Sequence, residues 1–393
     1  MDDNNGLEHR GAGPVNGRRH PRMLLVVTSA MTAKAFLPPI VRSLTSMGVE
    51  VDVACGPGGT TDIGGAPTHT IPFDRSASPG AAVRAMFALR RLVKDLEPDA
   101  LVCATPVAAL VGVITGRLLH VRLIAYLCWG LRSETLSGVL RNIVAACEDL
   151  TVRLADLTIA NSSSLCGVIA SRQPTRAARV ILLGKGSSHG VDLKRFSFSP
   201  APSTNSVPKI GFVGRIRRDK GIVELLEATA QMTKRGVPLE LELTGLVEDK
   251  ELEGMIADRQ GVHIRGATDS INRVMQGLDI LCLPSWREGF PNVVLEASAT
   301  GRPVVVSDAT GAVDSVVDGV TGLAFHCRDV DALDGALSWL LAAPERREAM
   351  GRAGRKWVED NFEEGHVCNL LAARLLRELG HVRRGRHGLE RDR

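Results

Sequence analysis

Two parallel-sheet α/β domains facing across a cleft are predicted by three observations. Short apolar runs alternate with amphipathic helical stretches along most of the chain, the pattern of a parallel sheet covered on both faces. The alternation stops at 197–208, a stretch rich in proline and serine with no periodicity, which reads as a linker. It then restarts, and 393 residues suit two or three domains at roughly 100–200 residues each.

In the first half, Leu24–Val27 is an apolar run that follows a polar, basic segment and reads as a buried strand. A polar loop, Thr28–Lys34, leads to a helix over Ala35–Met47, with Phe36, Ile40, Leu44 and Met47 on one face and a stop at Gly48. Val49–Ala54 is the next strand and Gly56–Gly65 a glycine-rich loop. Helix Ala81–Leu96 carries Arg84, Arg90, Arg91 and Lys94 beside Met86, Phe87 and Leu89. Strand Ala100–Cys103, helix Val107–Leu119, strand Arg122–Leu127, helix Leu136–Leu154, strand Leu157–Ala160 and helix Ser162–Ser171 complete the half. After the linker come strand Lys209–Val213, helix Gly221–Arg235, strands Leu239–Thr244 and Ile280–Leu283, helix Asn292–Thr300, strand Val304–Ser307, and helices Ala332–Ala342, Arg346–Asn361 and Glu364–Leu379.

Composition narrows the function. Apolar residues make up 44% and charged residues 23%, so the chain is neither disordered nor fibrous. Aromatic residues are only 4%, which argues against base stacking, and no nucleic-acid partner is expected. Residues 1–200 hold 22 Lys/Arg against 15 Asp/Glu, whereas 201–393 hold 26 against 29, so the first half is the one suited to an anionic partner. The eight cysteines form no CxxC or CxxH pair, sit mostly among apolar neighbours and read as reduced thiols in a cytoplasmic protein. Residues 1–22 lack the apolar core of a secretory signal.

Two segments carry chemistry, each directly after a strand, where open parallel sheets bind ligands. In the run from Gly211 to Gly221, a strand enters a loop at Gly214 and Arg215 and a helix starts near Lys220. A helix N-terminus favours anions, Gly214 permits close backbone approach, Arg215 offers a planar fork and Lys220 a point charge. Together they would hold a diphosphate, with Arg217 and Arg218 as solvated neighbours. In the run from Pro284 to Glu296, Glu288 lies in the loop, the N–H groups of Gly289 and Phe290 face the helix mouth, and Pro291 suits the first turn. Glu296 follows among apolar residues, where a carboxylate needs a partner such as a ribose diol.

Arg215 with Lys220, followed by Glu288-Gly289-Phe290-Pro291 and then Glu296, resembles the signature of the retaining family-4 glycosyltransferases, whose GT-B fold pairs two Rossmann-like domains. The resemblance runs from about Arg22 to Leu379. The phrases Thr105-Pro106, Gly130-Leu131-Arg132-Ser133-Glu134 and Gly186–Asp192 resemble the bacterial subgroup that extends undecaprenyl-diphosphate-linked sugars in polysaccharide or glycan assembly. The resemblance implies catalytic roles for Arg215 and Lys220 on the donor diphosphate and for Glu288 on the donor sugar. It implies donor binding by Gly214, Gly289, Phe290, Pro291, Asn292 and Glu296, the last on the ribose, and a base pocket near Thr244–Leu246 and Arg265–Gly266. Glu134 would face the acceptor. The implied substrates are a nucleotide sugar, UDP-linked, carrying a hexose or N-acetylhexosamine, and a lipid-linked saccharide, met peripherally at the inner face of the cell membrane.

The implied domains are a tail at 1–22, an acceptor-binding domain at 23–196, the linker at 197–208, a nucleotide-sugar domain at 209–362, a helix at 363–380 returning to the first domain, and a basic tail at 381–393. One departure is clear: where many members carry a histidine, this chain reads Cys128-Trp129-Gly130. No metal or cofactor is expected. Asp329-Val330-Asp331 reads as a helix cap rather than a metal motif, and Gly56–Gly59 lacks the helix a dinucleotide loop needs. His189 reads as a structural loop residue. A sugar-nucleotide 2-epimerase of the same fold and a non-catalytic sugar-nucleotide-binding protein are the rival readings. For the helix Ala81–Leu96, a core helix with a solvated edge competes with an interfacial helix on anionic lipid.

Overall fold

The computed structural model of the protein describes residues 20–58, 62–74, 79–199, 207–257 and 259–391. The first domain runs β1 (Arg22–Val26), α1 (Ala30–Ser46), β2 (Glu50–Cys55), β3 (Asp62–Ile63), β4 (Ala66–Thr70), α2 (Pro79–Leu96), β5 (Ala100–Ala104), α3 (Pro106–Leu118), β6 (Leu123–Cys128), α4 (Gly138–Leu154), β7 (Leu157–Ala160), α5 (Ser163–Arg172) and β8 (Val180–Leu182). The second runs β9 (Lys209–Val213), α6 (Ile222–Lys234), β10 (Glu240–Thr244), α7 (Lys250–Ala257), β11 (Val262–Arg265), α8 (Ile271–Gly277), β12 (Ile280–Leu283), α9 (Asn292–Ala299), β13 (Val304–Ser307), β14 (Leu323–Phe325), α10 (Val330–Leu341), α11 (Pro344–Asn361) and α12 (Glu364–Arg391).

Each domain is built on one sheet, ordered β3-β4-β2-β1-β5-β6-β7-β8 and β11-β10-β9-β12-β13-β14, and every pairing but β3/β4 is parallel. Side chains alternate across the first sheet. Met23 and Leu25 enter a core with α1 and α12, while Leu24 and Val26 enter one with α2, α3 and α4. The second domain has a single core that spans both faces of its sheet.

The strand order reverses between β1 and β5 in the first sheet and between β9 and β12 in the second. Chain connections leave such a point in opposite directions, so a crevice opens outside the strands' carboxyl ends. The loops after β9 and β12 are those that carry Arg215, Lys220 and Glu288, and Glu296 follows in α9.

The chain passes between the domains twice, and the two passages pair: the Val191 N–H donates to Phe362 O at 2.8 Å and the Glu364 N–H to Val191 O at 3.0 Å. From there α12 packs on α1, placing Cys368, Leu371, Ala372 and Leu375 in the first domain's core.

Three expectations need correction. Helix α1 begins at Ala30, not Ala35, because Ser29 caps it by accepting from the Thr32 N–H at 3.2 Å. It tolerates Pro38 and Pro39 because the carbonyls they leave unpaired, on Lys34 and Ala35, belong to exposed residues that water can serve. The glycine-rich stretch gives way to β3 and β4 from Asp62 onward. The expected basic tail from 381 is a continuation of α12 as far as Arg391. Of the expected tail at 1–22, residues 1–19 lie outside the described residues, as does the core of the linker at 200–206, while Arg22 already opens β1.

Candidate active site

The loop after β9 is shaped by glycine. Gly214 adopts φ +154°, and Gly221, which starts α6, adopts φ +70°. A Cβ on Gly221 would stand 2.0 Å from the Pro284 carbonyl oxygen, so only glycine lets the start of α6 meet the end of β12. That approach brings Lys220 Nζ within 2.5 Å of Glu288 Oε1, with both side chains largely buried. Arg215 stays more than half exposed and rests 3.5 Å from Glu248. Arg217 and Arg218 are tied into partly exposed ion pairs with Asp219, Glu248, Asp249 and Glu251.

The second loop is braced from both sides. Trp286 Nε1 donates to Glu224 Oε1 at 2.9 Å while the Arg328 guanidinium lies over its ring at 4.0 Å. Glu288 meets the protein through Lys220, and its N–H donates to Thr310 O at 2.9 Å. Gly289 touches the first domain, since a Cβ there would stand 2.0 Å from the Trp129 carbonyl oxygen. Pro291 caps α9 at its start. Glu296, one turn into α9, keeps part of its surface open, yet protein surrounds the carboxyl closely. Burial pushes its pKa up to about 7, offset only in part by Arg195.

Two expected donor contacts are already committed elsewhere. The Asn292 amide donates to His189 Nε2 at 2.9 Å and accepts from Ser187 Oγ at 2.9 Å, so it fastens α9 to the interdomain passage. The Phe290 N–H is taken by Asn161: with the amide oriented by its neighbours, Asn161 accepts from Phe290 N at 3.3 Å and donates to Gly289 O at 3.1 Å. The Phe290 ring is buried against Phe362. His189 is the structural loop residue expected. Burial lowers its pKa to about 4, so it stays neutral and can accept from Asn292.

The first domain supplies the facing wall. Thr105 holds φ +66° at the start of α3, and its hydroxyl accepts from the Thr28 N–H at 2.9 Å. This places a strained non-glycine residue at the switch point between β1 and β5. Trp129 stacks on Phe36 with ring centroids 5.0 Å apart. Glu134 crosses to the second domain, accepting from Thr310 Oγ1 at 2.8 Å, and burial raises its pKa. At the expected base pocket, the Gly245 N–H donates to Arg265 O at 2.9 Å, Leu246 is exposed, and the buried Thr244 hydroxyl has no partner among the described residues. Asp329, set aside as a metal motif, caps α10 by accepting from the Ala332 N–H at 2.9 Å.

Sequence reasoning did not find the residues that tie the domains together across the cleft. Asp314 accepts from the Ser164 N–H at 3.0 Å, and Arg287 Nε donates to Thr135 Oγ1 at 3.2 Å. These partners come from distant segments of ordinary composition. Gly130, Gly289 and Gly311 meet at the same seam, where a Cβ on Gly311 would stand 2.1 Å from Gly289 O. Gly289→Ala should therefore hold the domains apart. Turnover is expected to fall about tenfold, because small misplacements of reacting groups are costly, while nucleotide affinity stays unchanged. Steady-state kinetics beside calorimetric nucleotide titration tests this, and wild-type turnover would show that the seam need not close.

Similarity to known proteins agrees with this geometry. Residues 34–186 match the family described as "Glycosyl transferase 4-like domain", and residues 194–357 match "Glycosyl transferases group 1". The chain is 29% identical over 307 residues to the capsular polysaccharide biosynthesis glycosyltransferase CapM of Staphylococcus aureus, covering 75% of this chain and 80% of that protein. It is 26% identical over 251 residues to a glycogen synthase of Mycobacterium tuberculosis, of which it covers 59%. Among solved structures, the sucrose-phosphate synthase of Thermosynechococcus elongatus superposes with a TM-score of 0.78 at 19% identity, covering 92% of this chain and 99% of that one. HepE of Anabaena, solved with UDP and glucose, superposes at 0.75 and 20% identity, covering 91% and 99%. With a glycosyltransferase family match over each domain and a fold shared across nine-tenths of its length, the chain belongs to the glycosyltransferases of GT-B fold.

Proposed function

We propose that the protein moves a hexose or N-acetylhexosamine from a UDP-sugar to a lipid-linked saccharide in polysaccharide or glycan assembly, with retention of anomeric configuration. The observation that carries this reading is the convergence of Arg215, the Lys220–Glu288 pair and Glu296 at the switch point of the second sheet. Cationic groups there suit a diphosphate, and the carboxylates suit sugar hydroxyls. The polysaccharide context is supported by the likeness to CapM, and the UDP donor by the likeness to HepE.

In the reaction proposed, the bond from the sugar's anomeric carbon to the diphosphate breaks as a bond to an acceptor hydroxyl oxygen forms on the same face. The acceptor's proton passes to the departing phosphate oxygen, and UDP leaves. The protein's work is then to position both substrates and stabilise charge on the diphosphate. Arg215 and Lys220 do the latter. Glu288 releases Lys220 to the diphosphate and accepts from a donor-sugar hydroxyl. The acceptor saccharide enters from the first domain's side, past Glu134.

Incubation with UDP-, GDP- and ADP-sugars, with and without short lipid-diphosphate saccharides, tests the reading. Transfer from a UDP-sugar is the expected result. Epimerisation of the free donor would replace it with the epimerase reading, and binding without turnover with the non-catalytic one.

A further inference from the structure

Helix α4 is amphipathic in the wrong sense for a helix that faces water. Its inward side carries Glu148, 5% exposed, which accepts from Ser133 Oγ at 2.6 Å and pairs with Arg172 at 3.1 Å. Its outward side carries the stripe Val139, Ile143, Ala146 and Leu150, at helical spacing, with Leu140 alongside. Val139 is 75% and Ile143 56% exposed. On α2, in the same helical layer, Ala81, Ala85, Leu89 and Val93 are buried, and Val83 and Phe87 point outward among Arg84, Arg90, Arg91 and Lys94. Of the 15 large apolar side chains exposed among the described residues, seven lie on α2, α3 and α4.

The charges identify the occupant. Among the described residues only Arg91 of the α2 cations has an acid within ion-pair reach, Asp95 at 3.9 Å. Arg141 and Arg153 flank the α4 stripe, and both acids of α4 turn inward to Arg172. Apolar side chains ringed by arginine and lysine fit the headgroup region of an anionic bilayer. A second copy docked by two-fold symmetry would set these cations against each other. Among the described residues no helix is long and apolar enough to cross a membrane, so contact would be superficial.

We infer that the α2–α4 layer docks on an anionic bilayer, with Val139, Leu140 and Ile143 inserted into its interface. The inserted turn is also placed to deliver the acceptor. It begins just after Thr135, whose hydroxyl accepts from Arg287 of the catalytic loop, and Glu134, which meets Thr310. The lipid end of an acceptor therefore lies in the bilayer beside α4 while its saccharide reaches the cleft. This delivery role rests on the lipid-linked acceptor proposed above; the docking does not.

The test uses the full chain and vesicles of phosphatidylcholine with increasing phosphatidylglycerol. Sedimented protein should rise with phosphatidylglycerol and fall from 0.1 to 1 M salt, as the Debye length shrinks from about 10 to 3 Å. Val139→Ser, Leu140→Ser and Ile143→Ser combined, or Arg84→Ser, Arg90→Ser, Arg91→Ser and Lys94→Ser combined, should each weaken binding at least about tenfold. Transfer to a short water-soluble acceptor should be unchanged, because none of these residues lines the site. Leu140→Trp adds a readout that does not depend on affinity: the emission of the introduced indole should shift to the blue and be quenched by brominated lipid. Equal binding to neutral and anionic vesicles, undiminished binding by either combination, or an emission from the Leu140→Trp variant that vesicles leave unmoved would overturn the docking surface. Vesicle binding without sugar transfer would uphold the surface and remove the function proposed for the cleft.

Discussion

Replacing Lys220 by alanine should lower kcat by roughly two to three orders of magnitude, the loss seen when one preorganised charge donor is removed from a developing anion. Lys220 stands where the backbone leaves it little freedom, at a helix start wedged against the Pro284 carbonyl. In the free protein its ammonium is held by Glu288 at 2.5 Å, inside a largely buried pair. Alanine also strands the Glu288 carboxylate, so part of any loss could come from disturbed folding, since breaking a buried pair costs about 3–5 kcal/mol. Thermal melting of the single variant beside its kcat per folded enzyme separates the two effects, and adding Glu288→Gln, which removes the stranded charge, should recover thermal stability. Wild-type kcat in the single variant would remove Lys220 from the chemistry. Arg215→Ala should have a smaller effect, because that guanidinium is more than half exposed in the free protein.

The two-sheet architecture was legible because each buried strand is a short apolar run and each helix has one apolar face. Those two periods survive without any knowledge of contacts. Asp329 was legible as a cap for the same local reason. What failed to show was long-range or unpatterned. Strand β3 has two residues, and β4 reads Ala66-Pro67-Thr68-His69-Thr70, with no apolar alternation to mark it. Strand β11 lies at the sheet edge with His263 and Arg265 exposed, so its composition resembles a loop. At the site, the positions of Lys220, Glu288 and Glu296 follow from two loops on adjacent strands. The fate of Asn292 and of the Phe290 N–H did not follow, because their partners, His189 and Asn161, come from segments more than 100 residues earlier.

Glu296→Gln should weaken UDP binding and stabilise the free protein, and both effects have one cause. Burial lifts the Glu296 carboxyl to about 7, and Arg195 offsets little of that. A carboxyl ionises in the unfolded chain near 4.5, so between about 4.5 and 7 the unfolded chain binds fewer protons than the folded one. Stability therefore falls as pH rises through that window. The penalty, on the order of 3 kcal/mol, is absent below it and present in full above it. Glutamine has no proton to lose. The variant should match wild type in urea unfolding at pH 4 and exceed it at pH 8, by up to that amount. Holding a carboxylate ready in such surroundings is reasonable only if a ligand uses it. Ribose hydroxyls donating to the carboxylate gain about 1.5–3 kcal/mol that an amide cannot fully replace. The Kd for UDP, measured by calorimetry at pH 8, should rise by roughly 10- to 100-fold. A stability difference that does not change with pH would mean that burial does not hold this carboxyl up. An unchanged UDP affinity with altered sugar selectivity would move Glu296 from the ribose to the sugar.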